Sequence, residues 1–143
     1  MQIKPYTENI SFELQGKWNN IAYSFLGETK ENSKIVLKII SPERLKDCVV
    51  TLSGDYISFE YLGLEKKGYI SQLSSDSPLK AIANGFKESL INEVHTKNNQ
   101  LYFSYKLSST EYFFHIGATG LPIKICNKNG NNQLNFKNVT ILK

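Results

Sequence analysis

SDSPLKAIANGFKESLIN, residues 75–92, is the one stretch of the chain that reads as a helix of more than two turns. Leu79, Ile82, Ala83, Phe86 and Leu90 recur at the helical period and form one apolar stripe, while Lys80, Asn84, Lys87 and Glu88 take the other face. Ser77 is placed to cap the first turn, and Pro78 fits the first helical position, where an amide hydrogen would have no partner anyway. The spacing predicts a helix over residues 78–91. Gly85 falls in its middle and costs about 1 kcal/mol against alanine, so the stripe has to hold the segment down. Burying Leu79, Ile82, Phe86 and Leu90 on a sheet contributes about 6 to 12 kcal/mol at most.

Outward from that helix, everything reads as strand. On the N-terminal side, Ile10, Phe12 and Leu14 alternate with polar residues, Gly16 and Lys17 read as a turn, and Ile21, Tyr23 and Phe25 alternate again, which makes a hairpin. In SKIVLKIISP, Ile35, Leu37 and Ile39 share one face and Val36 and Ile40 the other, so this strand is expected to be covered on both sides, at least in part. Ser53, Gly54 and Asp55 turn a strand containing Val50 and Leu52 into YISFEYLGL. Between residues 65 and 72 the alternation weakens, as in an edge segment or an irregular loop. C-terminal to the helix come QLYFSYKL, EYFFHIG and LPIKIC, then an Asn- and Gly-rich turn, then a last strand with Leu134, Phe136, Val139 and Ile141. About nine strands joined by short turns make an antiparallel meander, since parallel units need a helix at each crossover. The expected fold is mainly β (α+β): one curved antiparallel sheet forming an unclosed half-barrel, with the helix packed over its concave face.

With 143 residues, 41% of them hydrophobic, residues 1–143 suffice for one domain with a real core. No apolar run approaches membrane-spanning length. The net charge of +4 comes mostly from dispersed lysines. Arg44 is the only arginine, and the arginine-rich, aromatic-interleaved patches that grip nucleic acid are missing, so nucleic acid is excluded as a partner. Cys48 and Cys126 fit neither a C-x-x-C pair nor a zinc pattern and read as buried small hydrophobes, with one disulfide at most between them.

Enzymatic readings find no purchase. His95 and His115 stand alone without H-E-x-x-H, Ser53, Ser58 and Ser104 lie in no G-x-S-x-G elbow, and Glu13, Glu60 and Glu111 fall on alternating polar positions of strands. No Gly-rich phosphate loop occurs, and no cofactor or metal is expected. The aromatic load is more telling. Eight Tyr and eight Phe concentrate in YISFEY, LYFSY and EYFFH, giving strand faces that are either core or the wall of an apolar ligand hollow.

One further reading comes from the order of these elements. LKIISPERL (residues 37–45), GDYISFEYLGLEKKGYI (54–70), SPLKAIANGF (77–86), TGLPIKI (119–125) and LNFKNVTI (134–141) resemble, in pattern and order, LolA and LolB, the lipoprotein carrier and receptor proteins of the bacterial envelope, and related lipoproteins of Gram-positive bacteria. The resemblance runs from about residue 12 onward. It implies a non-enzymatic, extracytoplasmic, membrane-anchored lipoprotein domain, with a signal peptide ending in a lipidated cysteine upstream of Gln2. The expected ligand is an acyl chain or other apolar molecule held between sheet and helix. Ile35, Leu37, Ile39, Phe59, Tyr61, Leu79, Ile82, Phe86, Phe103 and Phe114 are the expected lining. The alternative is a protein-binding module that docks or regulates an envelope enzyme, or self-associates, through a sheet edge.

Overall fold

The computed structural model describes residues 9–30, 34–86, 94–97 and 100–142. The alternating segments pair into a single antiparallel sheet of eleven strands, β1 (Ile10–Trp18), β2 (Ile21–Lys30), β3 (Lys34–Ser41), β4 (Val49–Ser53), β5 (Tyr56–Tyr61), β6 (Leu64–Tyr69), β7 (Val94–Lys97), β8 (Gln100–Leu107), β9 (Thr110–Ile116), β10 (Pro122–Asn127) and β11 (Gln133–Ile141). In space they run β6-β5-β4-β3-β2-β1-β11-β10-β9-β8-β7. The chain therefore starts at the centre, meanders out to the β6 edge, crosses to the opposite edge at β7, and meanders back until β11 lies beside β1. The two edges never meet, and the sheet is an unclosed half-barrel. The crossing segment carries α1 (Pro78–Gly85), which packs against β8, β9 and β10 on the concave face.

Period-2 alternation fixes which side chains face α1. Ile10, Phe12, Leu14 and Trp18 on β1, Ile35, Leu37 and Ile39 on β3, and Tyr112, Phe114 and Ile116 on β9 are all buried, while their neighbours are not. Val36 and Ile40, on the other face of β3, are half-buried, so the cover on that side is partial.

Three expectations need correction. The β1–β2 turn lies at Asn19 and Asn20, whose φ of 52° and 63° give a turn of the primed type, and not at Gly16-Lys17. Asparagine tolerates left-handed backbone, whereas Gly16 serves another purpose: a Cβ there would stand 1.9 Å from the backbone oxygen of Gln133 on β11. Second, the described residues form eleven strands and not nine, because LEKKGY (β6) and the four-residue VHTK (β7) are edge strands with little or no apolar alternation. Third, α1 ends at Gly85, with Phe86 as its C-cap at φ −93° and ψ 3°, so Gly85 is a terminal and not a central residue. The remainder of the expected helix, Leu90 included, lies outside the described residues.

Candidate functional site

Ser77 caps α1 by accepting from the Leu79 amide at 3.2 Å, and Pro78 occupies the first position, as the sequence dictates. The loop ahead of the cap is tied to the β1–β2 turn: the Asp76 carbonyl accepts from Trp18 Nε1 at 2.8 Å and from Asn19 Nδ2 at 3.2 Å. Farther along, the Tyr105 hydroxyl of β8 donates to the Ala81 carbonyl at 2.8 Å. Small residues then let the helix sink toward the sheet. A Cβ at Gly85 would come within 2.6 Å of the Phe114 ring.

Beyond Gly85, Phe86 turns inward and fills the space between helix and sheet. Its ring stacks on Phe12 at 6.0 Å and meets Phe114 and Phe136 edge-on at 5.2 and 6.0 Å. Phe103 stacks on Phe114 at 5.0 Å from the next strand. Offset and edge-to-face aromatic pairs of this kind are attractive beyond the area they bury. On its other side Phe86 borders an apolar cleft of about 110 Å³, whose wall is completed by Ile35, Leu52, Ile70 and Ala83, with Gly54 and Asp55 at the rim. Sites that enclose drug-sized ligands measure about 300 to 1,000 Å³, so a chain longer than a few carbons enters this one only by moving a side chain. Phe86 stands between cleft and aromatic cluster.

Of the residues expected to line a hollow, Ile35, Leu37, Ile39, Ile82, Phe86, Phe103 and Phe114 are buried in one hydrophobic cluster, and Phe59 and Leu79 pack against it from its margin. Only Ile35 and Phe86 among them line the cleft. Tyr61 stands apart, 45% exposed at the end of β5. Phe12, Phe136, Leu52, Ile70 and Ala83 belong to the region and are not among the residues expected from sequence to line it. Phe12 and Phe136 do occupy alternating apolar positions, but their meeting depends on β1 pairing with β11, where Leu14 lies opposite Phe136.

The polar groups offer little chemistry. Among the described residues no group of three or more His, Cys, Asp or Glu could hold a metal ion. Cys48 and Cys126 are free and buried, and burial pushes both thiols up, away from the reactive thiolate. His115 on β9 stacks on Tyr102, and its buried Nδ1 has no hydrogen-bond partner. The side chain of His95 lies outside the described residues.

No family model matches the chain, and no curated protein matches it. Among solved structures, an uncharacterized conserved protein from Thermus thermophilus is similar at a TM-score of 0.61 and 7% identity, over 97% of this chain and 82% of that one. A LolA superfamily protein from Nitrosomonas europaea follows at 0.49 and 9%, over 99% and 89% of the two chains. So does the structure of the CwlD amidase from Clostridioides difficile in complex with the GerS lipoprotein, at 0.49 and 17%, over 94% and 82%. The first shows that the fold is shared with a known structure.

Proposed function

We propose that this is a non-enzymatic cell-envelope domain that takes an acyl chain, or another apolar ligand of similar girth, into the space between α1 and the concave face of the sheet. The observation that carries the reading is the position of Phe86. It is the shared wall of an apolar cleft that opens beside the helix end and of the aromatic cluster beneath the helix, so a ligand in the cleft lies against the side chain that closes off the cluster. The cleft wall is apolar apart from its rim, which suits a hydrocarbon chain and gives a polar ligand nothing to bond. The sequence resemblance supplies the rest of the proposal, an extracytoplasmic domain held at the membrane by a lipid anchor outside the given chain.

Titration with a fluorescent fatty acid, joined to native mass spectrometry, tests it. Saturable binding is expected for the wild-type protein, and Ala83→Leu, which adds side chain to the cleft from the helix side, should weaken it, with circular dichroism and the melting temperature checking that the variant still folds. A protein that takes up no lipid and forms a dimer or retains a protein partner would instead speak for docking through a sheet edge.

A further inference from the structure

The opposite face of the sheet carries a second concavity of very different chemistry. Because Ile35, Leu52 and Ile57 point toward α1 and are buried, their neighbours on β3, β4, β5 and β6 point the other way. There they line a groove of about 330 Å³ that includes Lys34, Thr51, Ser53, Tyr56, Ser58 and Lys67. Cross-strand register assembles it in two rows: Thr51 lies opposite Ser58, and Ser58 opposite Lys67, while Ser53 lies opposite Tyr56, and Tyr56 opposite Tyr69. The rings of Tyr56 and Tyr69 sit 5.1 Å apart with planes tilted by 38°, and the two residues are 60% and 51% exposed.

We propose that this groove binds an anionic saccharide, a sugar bearing carboxylate or phosphate groups. The aliphatic hydroxyls of Thr51, Ser53 and Ser58 can each donate and accept, which is what sugar hydroxyls require of a partner. The tyrosine pair offers flat, half-apolar surface for the C–H face of a sugar ring and two more hydroxyls at its edge. The ammonium groups of Lys34 and Lys67 supply positive charge for the acidic substituent. Lys67 Nζ lies 3.3 Å from Glu65 Oε1, and both side chains are solvent-accessible, so exchanging that carboxylate for a ligand's costs little. An acyl chain has no place here, which separates this groove from the apolar cleft across the sheet.

Calorimetric titration with trigalacturonate, with maltotriose and inorganic phosphate as controls and phosphatidylglycerol vesicles as a further arm, decides the matter. Trigalacturonate should bind at low salt at least about tenfold more tightly than maltotriose or phosphate, and weaken as salt rises. Lys34→Gln, Lys67→Gln and Tyr56→Ala should each weaken it by roughly tenfold, the loss expected for one charge-assisted or stacking contact. These are solvent-facing positions, and an unchanged melting temperature confirms that the variants fold. Absence of trigalacturonate binding overturns the proposal, as does equal binding of maltotriose or equal affinity in the variants. Phosphate matching trigalacturonate with Tyr56→Ala silent would reduce the groove to a bare anion site. Vesicle binding that depends on Lys34 and Lys67 without any trigalacturonate binding would make it a membrane contact, and both results count against the saccharide.

Discussion

The Tyr105 hydroxyl on β8 donates a 2.8 Å hydrogen bond to the carbonyl of Ala81 in the middle of α1. Both residues are buried, so the bond forms out of reach of water and fixes the height of the helix above the sheet. Together with the Trp18–Asp76 bond at the other end, it spans the helix with two attachments, one to the loop ahead of it and one to its body. Tyr105→Phe keeps the ring and removes the bond. It is expected to cost about 0.5 to 1.5 kcal/mol in urea denaturation. Hydrogen exchange should locate the effect, with the amides of α1 losing protection and those of β1 and β2 unchanged.

Gly85→Ala sets helix propensity against packing. In an open helix interior the change would gain about 1 kcal/mol, and at the last helical position, where Gly85 sits, less. Here the new Cβ would lie 2.6 Å from the Phe114 ring, and Phe114 cannot yield, being fully buried between Phe86, Phe103 and Phe136. Overpacking of this kind costs about 1 to 3 kcal/mol, so a net destabilisation is expected, measured as a lower urea midpoint. A higher midpoint would mean that helix and sheet are less closely seated than these distances say.

Much of this architecture was legible in the sequence because its core is built from strict alternation. Ile35, Leu37 and Ile39 announce both strand and face, and Ser77-Pro78 announces where α1 begins. Legibility failed where burial stops dictating residue type. LEKKGY is a strand held by pairing with β5 alone, its side chains mostly solvated, so no apolar pattern marks it. Gly16-Lys17 looked like a turn because a glycine needed for close approach to β11 is indistinguishable in sequence from one needed for positive φ. The site was half legible. Phe86, Ala83 and Ile35 follow from their periodic positions, but Leu52 and Ile70 meet them only through the fold, and Tyr61 obeys the same alternation as Phe59 yet is exposed.

Stability should fall in mild acid because of His115. Burial, and the positive charge of Lys124 opposite it in register, hold its imidazole below the usual histidine value of about 6.5. The folded state therefore keeps the neutral ring where the unfolded chain already binds a proton, and stability drops as pH falls from about 6.5 toward the folded-state value. Above that window the group contributes no pH dependence. Melting temperatures recorded between pH 7.5 and 5 should decline for the wild type and decline less for His115→Gln, while equal slopes for the two would assign the acid sensitivity elsewhere.

Phe86 contacts Phe12, Phe114 and Phe136 and also walls the cleft, so a ligand entering from the cleft has to displace it. Phe86→Ala should therefore act in opposite senses on stability and on binding. Loss of a buried phenylalanine costs about 3 to 5 kcal/mol, within reach of unfolding a marginal domain, so the variant is compared at low temperature with its fold checked by circular dichroism. The space released adds to the existing 110 Å³, and the ligand no longer has to break aromatic contacts to enter. Relief of only about 1.4 kcal/mol tightens binding about tenfold. Ile125→Ala separates this from general loosening, since Ile125 is fully buried on β10 and lines no part of the cleft. It should lose stability without gaining affinity. Tighter fatty-acid binding by Phe86→Ala alone marks Phe86 as the gate, and a gain shared by both variants would instead show that a softened core binds hydrocarbon wherever it is opened.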